Sequence, residues 1–137
     1  MAQGPKLDGA GIQKMKALDE ANVQLQRLHG VVETYALALK RKQPTSLYSM
    51  QVKRALSPLI GLLKPQFGLI ADQVAALNLV ASRGGNEQTK IRILREGVGS
   101  TRQALEIAMV RVKDAHMVKD EPEAGKQGTP GSTPKRG

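Results

Sequence analysis

Cysteine and tryptophan are absent from this chain of 137 residues, and histidine occurs only twice. Without cysteine the chain cannot build a disulfide scaffold, a thiolate zinc site, an iron–sulfur cluster or a cysteine nucleophile. Two histidines are too few for a histidine-rich metal site. We therefore expect neither a metal nor a cofactor.

Aromatic residues are nearly as scarce, since only Tyr35, Tyr48 and Phe67 are present. The other apolar side chains are largely aliphatic, which suits packed helices better than a sheet rich in aromatic and β-branched residues. The length suits a single domain with one core. The composition thus favours an all-α fold.

The sequence motifs of the common enzyme classes are also missing. We find no phosphate-binding glycine loop, no zinc-protease pair of histidines and no serine-hydrolase elbow. The adjacent carboxylates Asp19 and Glu20 are predicted on a solvated helix face, which lacks the burial that acid–base catalysis needs. We expect a protein that is not an enzyme.

Positive charge is the strongest compositional signal. The net charge is +9, which points to nucleic acid, an anionic membrane or an acidic protein as partners. The first residues lack the apolar run of a signal peptide, so we expect a soluble, cytoplasmic protein. The most apolar stretch is short and contains Asp72, so we expect no transmembrane segment.

Composition divides the chain into three parts. Residues 1–9 should be a flexible lead, residues 10–119 a helical bundle, and residues 120–137 a disordered tail, because the tail is rich in proline and glycine and has no large apolar side chain. The bundle contains three segments with helical periodicity, at about 11–42, 46–83 and 87–119.

The first and third segments each carry one apolar stripe with alternating spacings of three and four residues, the pattern of a helix that packs against other helices. Asn86 is suited to cap the third helix, and Gly97 and Gly99 weaken its middle without breaking the stripe. The stripe of the first segment is Leu18, Ala21, Leu25, Leu28, Val32, Tyr35 and Leu39. The stripe of the third is Ile91, Leu94, Val98, Thr101, Leu105, Ala108, Val112 and Ala115.

The middle segment is apolar nearly all round and is interrupted by Pro58 and Pro65. We expect a kink or break within 57–68. The prediction is an antiparallel up-down-up bundle of three long helices, with four helices as the alternative if the break is a true turn. The middle stripe is Val52, Leu56, Leu59, Leu63, Ile70, Val74, Leu77 and Ala81.

The surplus of apolar residues leads to the first functional hypothesis. A non-enzymatic interaction protein, either a small adaptor or a subunit of a larger assembly, would use coiled-coil-like packing to bind a partner or a second copy of itself. The predicted partner-binding residues are Leu59, Leu62, Leu63, Phe67, Leu69, Ile70, Ile93, Ile107 and Val110.

The alternative hypothesis is a basic accessory protein that binds nucleic acid or another anionic surface. In the three-helix arrangement one end of the bundle would collect a group of cations centred on Lys40–Lys42. The predicted anion-binding residues are Lys40, Arg41, Lys42, Lys53, Arg54, Arg111 and Lys113.

A third hypothesis starts from His116 and Lys119, which are separated by two residues. This spacing resembles the histidine motif of histidine phosphotransfer domains, which are helical bundles with an exposed imidazole. Asp120 stands where that motif has glycine. The resemblance covers about five residues and implies a phosphate-accepting role for His116.

Overall fold

The computed structural model describes residues 6–118 and shows helices packed side by side. They are α1 (Gly9–Lys40), α2 (Tyr48–Leu63), α3 (Gly68–Ser82) and α4 (Glu87–His116). A short antiparallel pairing joins β1 (Lys6–Leu7) to β2 (Met117–Val118). The predicted helical class is confirmed, whereas the expected tail at 120–137 and most of the expected lead lie outside the described residues.

The proline-interrupted middle segment forms two helices. Pro58 lies on the exposed side of α2 and does not end the helix. The chain leaves α2 just before Pro65, which has no N–H to continue the helical hydrogen bonds. A bond of 2.7 Å from the amide of Phe67 to the carbonyl of Leu63 closes the turn. The predicted break within 57–68 is confirmed, and residues 6–118 form the four helices of the alternative prediction.

Contacts at the helix ends give the direction of each helix. Tyr35, near the end of α1, stacks on Tyr48 at the start of α2 and donates a hydrogen bond to Glu87 at the start of α4. At the other end of the bundle, His116 of α4 contacts Asp8, the residue before α1. Hence α1 and α4 are antiparallel, and α2 and α3 form a hairpin beside them. The order is up-down-up-down, not the predicted up-down-up arrangement of three helices.

The three predicted stripes meet in a single core. Nearly all of their residues are buried, and Leu18, Leu28, Val52, Val74 and Leu105 are fully excluded from solvent. The exceptions are Leu39 and Ile70, which are half-buried, and Ala115, which is exposed. Heptad spacing therefore identified the core residues correctly, although the predicted number of long helices was three and the described residues form four helices.

Local signals in the sequence explain where the helices start and stop. The side chain of Asp8 accepts a 2.7 Å bond from the amide of Gly11 and caps α1. Asn86 caps α4 as predicted, since its side-chain oxygen accepts from the amide of Thr89 at 3.1 Å. The turn before α4 contains Gly85 at φ +104°, a backbone conformation that glycine adopts without strain.

Unequal helix lengths shape the rest of the molecule. The helices α1 and α4 contain 32 and 30 residues, whereas α2 and α3 contain 16 and 15. At a rise of about 1.5 Å per residue, the long pair extends roughly 20 Å beyond the hairpin. We call this projecting part of α1 and α4 the overhang.

Among the helices of residues 6–118, none has the length and hydropathy to cross a bilayer.

Candidate functional site

A groove of about 550 Å³ lies at the junction between the overhang and the α2–α3 turn. One wall comes from the turn and the start of α3, another from the last four turns of α4, and α1 contributes a single lysine. The lining residues are Lys14, Gln66, Phe67, Gly68, Leu69, Ile70, Ala104, Ile107, Ala108, Arg111, Val112, Ala115 and His116.

The walls of the groove are mainly apolar. Leu69 is 87% exposed, more than any other large apolar residue described, and Ile107 on the facing helix is 47% exposed. Phe67 and Ile70 are half-buried and pack against the core. Small residues on α4, such as Ala104, leave room between these larger side chains. The groove thus offers a concave aliphatic surface open to solvent.

The charged groups that line the groove within residues 6–118 are cationic or basic. Lys14, Arg111 and His116 lie along it, and none of the described lining residues is acidic. An occupant that carries carboxylates beside apolar side chains would complement this lining in both respects.

His116 is fixed by a small cluster that joins the two ends of the described chain. Its Nδ1 lies 3.2 Å from Asp8 Oδ1, and its Nε2 lies 3.0 Å from Lys14 Nζ. Because the lysine ammonium can only donate, Nε2 accepts a hydrogen bond from Lys14, and Nδ1–H donates a hydrogen bond to Asp8. The amide of Asp8 in turn donates to the carbonyl of His116 at 2.9 Å. We call this cluster the terminal clasp.

The terminal clasp leaves no room for a side chain at position 11. A Cβ on Gly11 would lie 2.5 Å from His116 Cβ, so only glycine fits there. The amide of Gly11, together with His116 and Lys14, holds the pKa of Asp8 below its usual value of 3.8, in spite of some opposing desolvation.

An imidazole with both nitrogens engaged is not the exposed phosphate acceptor that the third hypothesis requires, and Lys119 lies outside the described residues.

The predicted partner-binding residues divide into separate groups. Phe67, Leu69, Ile70 and Ile107 come together in the groove. The structure does not support Leu59 and Leu63 as surface residues, because both are fully buried in the core.

The remaining predicted partner-binding residues lie away from the groove lining. Leu62 is half-buried on α2. Ile93 lines a small cavity between α3 and α4, and Val110 is 58% exposed on α4.

The predicted anion-binding residues also separate. Lys40–Lys42, Lys53 and Arg54 lie at the end of the bundle where α1 ends and α2 begins. Arg111 and Lys113 belong to the last turns of α4 and lie at the opposite end. The prediction placed them together because it took the last helix as parallel to the first, and the extra reversal at Pro65 moves them apart.

Sequence reasoning missed the cations that do accompany Lys40. Arg92 and Arg95 share a cavity with Lys40, whereas Arg83 and Lys90 line the neighbouring one. We call this end of the bundle, where α1 ends and α2 and α4 begin, the basic end. Its cations are Lys40, Arg41, Lys42, Lys53, Arg54, Arg83, Lys90, Arg92 and Arg95.

Two carboxylates near the basic end, Glu33 and Glu87, have close hydrogen-bond partners. Glu33 accepts two 2.7 Å bonds from the Arg95 guanidinium, which hold its pKa below the usual value. Glu87 accepts a 2.6 Å bond from the hydroxyl of Tyr35 and one from the hydroxyl of Thr45, whose oxygen lies 2.9 and 3.1 Å from the two carboxylate oxygens, and these bonds lower its pKa as well. Burial, reinforced by the same bond to Glu87, raises the pKa of Tyr35 far above its usual value.

The groove itself was only partly predictable. Its four large apolar residues were expected on the surface, but Lys14, Ala104 and Ala108 carry no signal that separates them from other helix positions. They become a site because the hairpin stops halfway along α1 and α4, which depends on the direction of the chain after Pro65.

Over residues 6–118, no group of His, Asp and Glu side chains is arranged to hold a metal ion.

Comparison with other proteins assigns no function to this geometry. No protein-family model, no curated protein and no solved structure matches this chain.

Proposed function

We propose that this protein is a non-enzymatic helical interaction module, and that the groove binds an amphipathic helix of a partner protein with acidic residues beside its apolar face. The observation that carries the proposal is the exposed pair of Leu69 and Ile107 on facing walls of the groove. Large aliphatic side chains that stay in contact with water on a concave surface are typical of interaction sites.

The overhang favours a helix as the occupant. Along the covered half of the bundle, α1 and α4 pack against the hairpin, and the core there is complete. Within residues 6–118, the only helices beyond the α2–α3 turn are α1 and α4. A helix laid against them there would continue the layer that α3 begins, with the same helix-to-helix packing.

Charge favours acidic residues in that helix. Lys14 and Arg111 line the groove, and the described part of the chain contributes no acidic residue to the lining. A carboxylate placed beside either cation would gain a charge-assisted hydrogen bond at the rim of the apolar contact. Such rim charges mainly set partner choice and association rate, whereas the aliphatic residues supply most of the affinity.

The same charges disfavour a second copy of this chain in the groove. In a two-fold symmetric pair the same surface patch of each copy meets the other, so the lysine and arginine of both grooves would share one interface. Like charges brought together at an interface oppose association. The proposal is therefore a heterologous partner.

Two synthetic helical peptides test the proposal. Both carry leucines at every third or fourth position, and they differ only in having glutamate or lysine at the flanking positions. We expect the glutamate peptide to bind and to shift the NMR amide signals of Leu69 and Ile107. Equal binding of both peptides, or shifts that map elsewhere, would contradict the assignment.

Matched surface variants complete the experiment. Leu69→Ser should weaken binding of the glutamate peptide about tenfold, because one aliphatic anchor is lost. Leu79→Ser alters another leucine of α3, 64% exposed but outside the groove lining, and should leave binding unchanged. Arg111→Glu should reverse the preference between the two peptides. Light scattering reports the competing outcome, which is self-association through the groove.

A further inference from the structure

The corner between α1 and α2 has a composition unlike the rest of the surface. We define this corner as residues 37–54, which contain five cations. From residue 34 to residue 71 the sequence contains no aspartate or glutamate. The exposed ends of Lys40, Arg41, Lys53 and Arg54 therefore face solvent without an acidic neighbour in their own part of the chain.

Large aliphatic side chains are exposed among these cations. Leu47 is 63% exposed where the corner enters α2, Met50 is 49% exposed in the first turn of α2, and Leu37 is 44% exposed in the last turn of α1. Side chains three or four positions apart share one face of a helix. Leu37 thus lies on the same face as Lys40 and Arg41.

The start of α2 repeats this arrangement. Met50 shares its helix face with Lys53 and Arg54, and Leu47 lies one turn before Met50. Two helix ends that meet at one corner therefore both present an aliphatic residue followed by two cations.

The carboxylates that the fold brings close to the corner are paired with groups other than its cations. Glu96, which lines a cavity together with Lys40, lies 3.9 Å from the guanidinium of Arg92. Glu87 is held by the hydroxyls of Tyr35 and Thr45, and Glu33 is held in a two-bond pair by Arg95. The corner consequently keeps its positive charge next to exposed aliphatic groups.

From these observations we propose that the α1–α2 corner binds the surface of an anionic lipid bilayer, with Leu47 and Met50 entering the boundary between head groups and acyl chains. Basic residues near a bilayer are attracted to anionic head groups, and adjacent aliphatic residues gain by leaving water. This surface is separate from the groove, which lies toward the other end of the bundle, so the inference does not depend on the partner helix.

Nucleic acid fits the corner less well. Phosphates would account for the cations but not for the exposed leucines and methionine among them. Single-stranded bases need aromatic platforms, and the two tyrosines nearest the corner are stacked on each other with ring centres 5.1 Å apart. The exposed aliphatic residues decide in favour of lipid.

Co-sedimentation of the full chain with vesicles tests the proposal. We expect binding to vesicles of phosphatidylcholine mixed with phosphatidylserine and no binding to vesicles of phosphatidylcholine alone. Replacing Lys40→Gln and Arg41→Gln should weaken binding about fivefold for each charge. Lys16→Gln with Lys64→Gln removes two exposed cations elsewhere and should change binding much less. An equal loss in both double variants, or no binding to the mixed vesicles, would overturn the proposal.

The aliphatic residues provide the decisive comparison with nucleic acid. Leu47→Ser with Met50→Ser should weaken vesicle binding about tenfold, because less apolar surface leaves water. The matched change Val23→Ser, at a residue 62% exposed on α1, should leave it unaltered. If the double serine variant sediments as the parent does while a DNA duplex competes for the corner, nucleic acid replaces lipid as the ligand. All the altered side chains are exposed, so each variant should fold as the parent does. Circular dichroism checks this.

Discussion

The hydroxyl of Tyr35 donates a 2.6 Å hydrogen bond to Oε2 of Glu87, which joins the end of α1 to the first turn of α4. Thr45, in the connection between α1 and α2, donates to the same carboxylate at 2.9 Å. Tyr35 is 1% exposed and lies in the core, so the bond joins a buried side chain to a carboxylate at the surface of the basic end. Three chain segments are thus fixed by one carboxylate.

Tyr35→Phe should lower the free energy of unfolding by about 1–2 kcal/mol at neutral pH, because a bond to a charged group is lost without a cavity. The folded protein holds the pKa of Glu87 below 4.5. The stability from this shift is present above that pH and is lost as the pH falls through the lower, folded value. In Tyr35→Phe the free energy of unfolding should therefore fall less steeply as the pH is lowered.

Urea unfolding of both proteins between neutral and acid pH measures this effect. Tyr48→Phe, which removes a hydroxyl from the other ring of the stack, is the control and should retain the full pH dependence. Parallel stability curves for the parent and Tyr35→Phe would show that the bond to Glu87 does not control this titration.

The end of α1 suggests a stabilising change. Lys42 has φ +55°, a left-handed backbone conformation that favours glycine. The amide of Gln43 donates to the carbonyl of Ala38, and that of Lys42 donates to Leu39, which together form a Schellman motif. Lys42→Gly should therefore raise the free energy of unfolding by about 1 kcal/mol. Thermal unfolding measures it, and Lys42→Ala, which keeps the strain, should give no such gain.

Two glycines in α4 should respond in opposite directions to alanine. A Cβ on Gly97 would lie 2.5 Å from Cδ2 of Leu77, a buried core residue, whereas a Cβ on Gly99 meets nothing within 4 Å. Gly99→Ala should gain about 1 kcal/mol from helix propensity. Gly97→Ala should lose about 1 kcal/mol or more, because the displaced leucine disturbs a packed core. Denaturant unfolding compares the two, and equal gains would contradict the contact with Leu77.

How far the sequence determines the fold can be judged from particular residues. The spacing from Leu18 to Tyr35 and from Ile91 to Val112 identified the core faces correctly, because heptad spacing reports which side of a helix is apolar. Pro58 and Pro65 together placed the break within 57–68, without indicating which of the two ends the helix. Whether a chain that breaks there bends or reverses depends on packing between distant helices, so periodicity along the sequence could not decide it.

That single reversal accounts for the main errors at the candidate sites. It places Arg111 at the opposite end from Lys40, and it lets the hairpin end halfway along α1, which creates the groove. Leu59 and Leu63 were predicted to bind a partner because the middle segment is apolar nearly all round. The structure buries both, since α2 packs between two neighbouring helices. Side-chain type alone does not separate a wide buried face from a partner surface.

The terminal clasp gives the last prediction. A Cβ at position 11 would meet Cβ of His116 at 2.5 Å and Cβ of Leu7 at 3.2 Å. These atoms are close to the backbone and cannot turn aside as a flexible side chain end would. Gly11→Ala should therefore push His116 away and break the bond from the Asp8 amide to its carbonyl, although alanine is the better helix former.

Hydrogen exchange detects that opening directly. In Gly11→Ala the amide of Asp8 should exchange about tenfold faster or more, while amides in the buried middle of α1, such as Leu25, keep their protection. Gly9→Ala lies in the same first turn with nothing within 4 Å of the added Cβ, and it should leave exchange at Asp8 unchanged. If Asp8 stays equally protected in both variants, Gly11 is not needed for the close contact with His116.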